Sequence, residues 1–123
     1  MIICYLLFII YLCLMIVHIH DNLTISDLQE RFSKCFECMK IEFYKQPHPD
    51  KNKQISDYLI NPEKSIGQIR KNKNEGDMQI KSWYTVGKVE RAFKEDYGLN
   101  VRIFRKANDG WIQSAGKDQF KIL

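Results

Sequence analysis

The chain has 123 residues, 28% of them charged, with 19 Lys and Arg against 15 Asp and Glu for a formal net charge of +4. That length allows one small domain, and the mild positive excess favours solubility and weak attraction to anionic surfaces. It falls short of the dense basic stripe that would by itself indicate nucleic-acid binding. The four cysteines stand at positions 4, 13, 35 and 38 and the later half has none, which argues against a disulfide framework and fits a reducing compartment.

Met1 to Val17 is an unbroken apolar run, and residues 1–20 contain no Lys, Arg, Asp or Glu. Seventeen residues span roughly 25 Å as a helix, near the lower limit for crossing a bilayer. With no basic residue ahead of the run and no Ala, Gly or Ser before a cut, a cleaved signal peptide is not expected. The spacing predicts a hydrophobic leader over 1–20 acting as an uncleaved transmembrane helix. Arg31, Lys34 and Lys40 favour a cytoplasmic domain over 21–123. The alternative is upstream sequence with Met15 as a later start, which makes the protein cytoplasmic.

Asp21 to Ser26 is a polar boundary. Ile25, Leu28, Phe32, Cys35 and Phe36 then recur at helical spacing, with Thr24 or Ser26 as the cap. A strand follows at about Met39 to Lys45, ended by Gln46-Pro47-His48-Pro49-Asp50, whose prolines remove backbone donors. Lys51 to Glu75 is the least regular stretch. Tyr58 to Ile60 suggests a short apolar turn, and Asn61-Pro62-Glu63 a helix start continuing through Ile66, Ile69 and Arg70. Asp77 to Trp83 reads as a second strand.

Thr85 to Lys106 is the clearest unit. Val86, Val89, Phe93 and Tyr97 form one stripe of a helix, Gly98 ends it, and Leu99, Val101 and Ile103 alternate as a strand. Ala107-Asn108-Asp109-Gly110 is a hairpin signal, and Trp111 to Ala115 is the returning strand. The unit has a forerunner: Thr24, Ile25, Leu28, Gln29 and Phe32 match Thr85, Val86, Val89, Glu90 and Phe93 at a spacing of 61 (85 − 24), and Met39, Ile41 and Phe43 match Leu99, Val101 and Ile103 at a spacing of 60 (99 − 39). The competing account is that any two amphipathic helix-strand pairs look alike at this resolution. Two helices with one stripe each can cover one face of a four-stranded sheet, so the fold class expected is α+β, a two-layer sandwich in the order αββαββ preceded by the hydrophobic helix.

The Thr-Val helix start, Gly98-Leu99 corner, Phe104-Arg105-Lys106 strand end, Trp111 and Asp118-Gln119-Phe120 resemble a group of short bacterial α+β proteins of unassigned activity. The likeness covers about a third of the chain well and Thr24 to Lys45 more loosely. Those proteins lack a hydrophobic leader, and Tyr97 before Gly98 departs from their pattern. The resemblance implies a fold and transfers no catalytic residue.

No catalytic pattern stands out. Cys35 and Cys38 have redox-motif spacing, but they fall at a helix C-terminus, where the dipole opposes a thiolate, and structural zinc would need two more ligands than this pair supplies. The six glycines form no phosphate loop, and Glu90, Glu95 and Asp96 among Lys88, Arg91 and Lys94 read as a solvated helix face. Gly87, in the first turn of its helix, suggests close packing. No cofactor, metal site or small-molecule substrate is expected.

The remaining candidate is the sheet face that the helices leave uncovered. Lys40, Glu42, Tyr44, Arg102, Phe104, Lys106, Gln79 and Lys81 share it if the apolar partners face inward. Basic and aromatic residues together can anchor a protein partner or stack single-stranded bases. Packing of Phe104 and Trp111 beneath the Lys51 to Glu75 excursion is the structural alternative. The function expected is a non-enzymatic interaction or assembly module with Lys40, Tyr44, Lys81, Arg102, Phe104 and Trp111 as partner-binding residues, held at the membrane through residues 1–17. A single-stranded nucleic-acid-binding module on the same face is the alternative.

Overall fold

The structure, a computed structural model, describes residues 14–120. In chain order its elements are β1 (Leu14–Ile19), α1 (Ile25–Cys35), β2 (Met39–Tyr44), a 3-10 turn (Ile55–Tyr58), α2 (Ile66–Ile69), β3 (Gly76–Lys81), α3 (Val86–Tyr97), β4 (Asn100–Ala107) and β5 (Gly110–Gln113). The class is α+β, with two antiparallel sheets, β1-β3 and β2-β4-β5.

Both long helices begin alike. Thr24 and Thr85 accept from the backbone N–H of Asp27 at 3.0 Å and of Lys88 at 3.2 Å, satisfying a donor that the first helical turn leaves open. They end differently. Gly98 takes the left-handed conformation at φ 66° and its N–H reaches back to Lys94, while α1 closes on Phe36 and the chain turns through Cys38 at φ 62°. The stripes Ile25, Leu28 and Phe32, and Val86, Val89, Phe93 and Tyr97, are buried. Phe36, Phe32 and Phe120 meet ring to ring, and Phe43 meets Phe93 edge-on at 6.0 Å. Burying each such side chain contributes about 1.5–3 kcal/mol.

The hydrophobic helix expected over 1–20 is corrected in its last part. Leu14–Ile19 is a strand paired with β3, in which Met15, Val17 and Ile19 are buried while Ile16 and His18 face outward. Pairing with β3 satisfies the backbone along the strand, and the two-residue period puts alternate side chains into the core. This strand is thus part of the domain expected to begin at residue 21. The rest of the expected helix, residues 1–13, lies outside the described residues. Among the described residues no helix is long and apolar enough to cross a membrane.

The pairing carries the internal repeat much further than the helices do. Val17 and Ile19 stand 61 positions (78 − 17) before Met78 and Ile80, so each helix has a matching strand ahead of it. The two strand pairs are centred on counterparts: Val17 faces Met78 in β1-β3, and Glu42 faces Arg102 in β2-β4. That is the pattern of an isologous dimer interface, here within one chain. The segments after each unit correspond too, at a spacing of 54 (118 − 64). Ile25 N–H donates to Lys64 and Val86 N–H to Asp118. Ser26 donates to Pro62 and Gly87 to Gly116. Ile60 donates to Phe43 and Ser114 to Ile103.

The single four-stranded layer with β3 as a member is also corrected. β3 pairs with β1, and beyond β2 the neighbour is Leu59, bridged to Tyr44 as Gln113 is paired with Phe104. The helix expected from Pro62 begins only at Ile66, where Ser65 and Gln68 form a capping box, and Pro62 sits in the turn whose carbonyl receives Ser26. Gly87 does mark close packing. A Cβ there would stand 3.0 Å from the Gly116 carbonyl oxygen.

Candidate interaction face

Along β2 and β4 every second residue enters the core: Met39, Ile41 and Phe43, and Val101 and Ile103. The intervening Lys40, Glu42, Arg102, Phe104 and Lys106 therefore share the opposite face, joined across the register by Trp111 opposite Lys106 and Gln113 opposite Phe104.

Their side chains form one connected row. The Lys40 ammonium lies 4.9 Å from the centre of the Trp111 ring and 5.4 Å from that of Phe104, and it pairs with Glu42 at 3.2 Å. Tyr44 donates its hydroxyl to the other Glu42 oxygen at 3.1 Å. The Arg102 guanidinium lies 5.8 Å from the Tyr44 ring and donates to Gln113 Oε1 and to the Pro47 carbonyl, both at 2.9 Å. Lys40, Arg102, Phe104 and Trp111 are thus brought together, with polar links from Glu42, which sequence reading placed on this face without naming it as a contact residue, and from Gln113, which it did not name.

Two expected contact residues do not belong to the exposed face. Tyr44 is buried, 5% exposed, because the segment 45–58 folds over that end of the sheet. Lys45 N–H donates to Tyr58, Ile60 N–H to Phe43, and Arg102 holds the Pro47 carbonyl. Burial, and then the Glu42 charge, push the Tyr44 hydroxyl pKa up to about 12. Lys81 is at the end of β3 in the other sheet, its ammonium 5.3 Å from the Trp83 ring. Gln79 is on that sheet as well. The long excursion therefore covers the Tyr44 end of the face and leaves the Trp111 end open.

At the open end β5 is the outermost strand, and all four of its residues are exposed. Trp111 is 44% exposed on the outer face and Ile112 45% on the inner one. Ile112 was not selected from sequence. It is exposed because β5 is the last strand of its sheet.

At the covered end, Gln46, Pro47 and His48 oppose α3 across an open groove of about 660 Å³ floored by Asn100 to Arg102. Glu90 lines it, accepting from the Ile103 N–H at 3.2 Å. Burial raises its carboxyl pKa against the opposing effects of that bond and of Arg102. Gln29, the counterpart of Glu90, also ties its helix to the strand that follows, donating to the Ile41 carbonyl at 2.9 Å.

Cys35 is the last residue of α1 and no disulfide joins it to Cys38. Among the described residues no group of three or more His, Cys, Asp or Glu is placed to hold a metal ion.

Comparison with protein-family models, with curated proteins and with solved structures finds no match to this chain.

Proposed function

We propose that the protein is a non-enzymatic interaction or assembly module that docks a protein partner on the outward face of β2-β4-β5 and on the open edge of β5. On this reading α1 and α3 form one layer and the three strands the other, in the arrangement that the likeness to short bacterial α+β proteins implies. The observation that carries it is the pair Trp111 and Ile112, each nearly half exposed on opposite faces of an outermost strand. An edge strand with unpaired backbone groups accepts a further strand, and exposed Trp beside Arg and Lys is the composition of an interface anchor.

A single-stranded nucleic acid suits this face less well. The rings that would stack on bases already lie beneath the Lys40 ammonium, and that ammonium is paired with Glu42.

A photo-crosslinking amino acid placed at Trp111, and separately at Glu30 on the solvated side of α1, tests the reading in cells expressing the full chain. A discrete protein adduct at position 111 that survives nuclease, is absent at position 30 and is lost with Ile112→Asp supports it. An adduct removed by nuclease, or equal adducts at both positions, overturns it.

A further inference from the structure

The two halves differ most where β2 and β4 lead into their next strands. β4 turns through Asn108-Asp109 directly into β5, whereas the equivalent path from Tyr44 to Leu59 is longer by the difference between the two repeat spacings, 60 and 54. The extra residues do not hang free. Tyr58 donates its hydroxyl to Asp50 at 2.8 Å, Gln46 donates to the His48 carbonyl at 2.8 Å, and Arg102 fixes Pro47. The departure from the repeat thus builds one wall of the groove against α3.

The groove's charges are unevenly matched. Arg102 is half-buried at its floor, yet Glu42, directly across the strand pair, gives its two oxygens to Lys40 and Tyr44. Arg91 and Lys94 are exposed at the rim, three residues apart and so on one side of α3. None of these three cations makes an ion pair among the described residues. Two carboxylates also line the groove: Glu90, engaged by the Ile103 N–H, and Glu95, exposed on the next helical position after Lys94. Tyr44, Pro47 and Val101 add apolar surface.

We infer that this groove is a binding site for a carboxylate-bearing ligand, with Arg91 and Lys94 receiving the carboxylate and Arg102 supplying the positive floor. Two charges at the rim give the charge-assisted bonds a carboxylate needs, and a guanidinium that makes no ion pair with its cross-strand partner adds positive charge at the floor, offset in part by Glu90. The carboxylate can belong to a small organic acid or to a peptide C-terminus. This site shares Arg102 and Gln113 with the outward face but not the edge at Trp111 and Ile112 that carries the docking reading, and its failure leaves that reading intact.

The test is a backbone amide NMR titration of the full chain with citrate, with tetra-alanine ending in a free carboxylate, and with the same peptide amidated, each to about 10 mM, where even weak sites of millimolar Kd are occupied. Saturable shifts confined to Gln46–His48, Arg91–Glu95 and Asn100–Arg102 are expected with citrate, with the free peptide or with both, and none with the amide. Citrate alone identifies a small acid, and the free peptide alone a chain terminus. The double variant R91Q/K94Q, on an exposed helix face, should weaken binding at least about tenfold, and Glu95→Gln should tighten it. No shift with any carboxylate, equal shifts with the amide, or affinity unchanged in both variants overturns the site.

Discussion

Glu42 on β2 stands directly opposite Arg102 on β4, its own counterpart in the second half of the chain, yet the two form no ion pair. Glu42 is taken by Lys40 and by the hydroxyl of Tyr44, and Arg102 turns instead to Gln113 and the Pro47 carbonyl. A position that a symmetric pair would use twice in the same way is thus split into two roles. One side organises the open face, and the other pins the segment that covers Tyr44.

The Tyr44 hydroxyl follows from that split. Burial, and then the Glu42 charge, push its pKa from the ordinary 10.0 up to about 12. A folded pKa above the unfolded one contributes stability that is complete below pH 10 and is lost as the pH climbs towards 12. An ultraviolet pH titration should show a phenolate step near pH 12 that disappears in Tyr44→Phe and moves down in Glu42→Gln. The Phe variant should lose roughly 0.5–1.5 kcal/mol of stability at neutral pH with the hydrogen bond.

Glu90 predicts a pH dependence of the same sign in a different window. Burial raises its carboxyl above the ordinary 4.5, so its protonated form is the one the fold favours. Its contribution is present below the unfolded carboxylate pKa and is lost as the pH rises through the folded one. Glu90→Gln keeps an acceptor for the Ile103 N–H and carries no charge. Urea unfolding should find it at least as stable as the parent at neutral pH, with the difference shrinking in acid.

Ile19 and Ile80 occupy matching places in β1 and β3, and both are fully buried. Truncating either to Ala should cost about 2–5 kcal/mol, the range for deleting a buried branched side chain, and the two losses should be similar. A neutral Ile19→Ala beside a costly Ile80→Ala, measured by chemical denaturation, would remove β1 from the core.

Much of this was legible in residues. The Thr24 and Thr85 caps, both apolar stripes, Gly98 and the Asn108-Asp109 hairpin all stand where their local chemistry puts them, because each is decided within a few positions. β1 was not. Ile16 is apolar yet faces outward between Met15 and Val17, so the two-residue period that marks a strand is hidden in a continuous apolar run. The repeat held the missing signal, since Val17 and Ile19 sit ahead of Thr24 as Met78 and Ile80 sit ahead of Thr85. The membership of the uncovered face differs from the sequence expectation at two residues for long-range reasons. Lys81 was placed by assuming that β3 joins the other strands, and Tyr44 is closed off by a segment whose path depends on Arg102 reaching Pro47.

Gly98 gives a sharper local test. It sits at φ 66°, and a Cβ there would also stand 3.1 Å from the Lys71 backbone nitrogen. Gly98→Ala should therefore destabilise by about 1–2 kcal/mol, from left-handed strain and the close backbone together, read as a drop in urea midpoint at unchanged slope.

The pairing of the two halves about counterpart residues is most directly tested by NMR contacts between the backbone protons of residues 14–19 and those of 76–81. The account predicts antiparallel cross-strand contacts linking Ile16 with Gln79 and His18 with Asp77. Helical contacts running through residues 14–19, with none to 76–81, would contradict it.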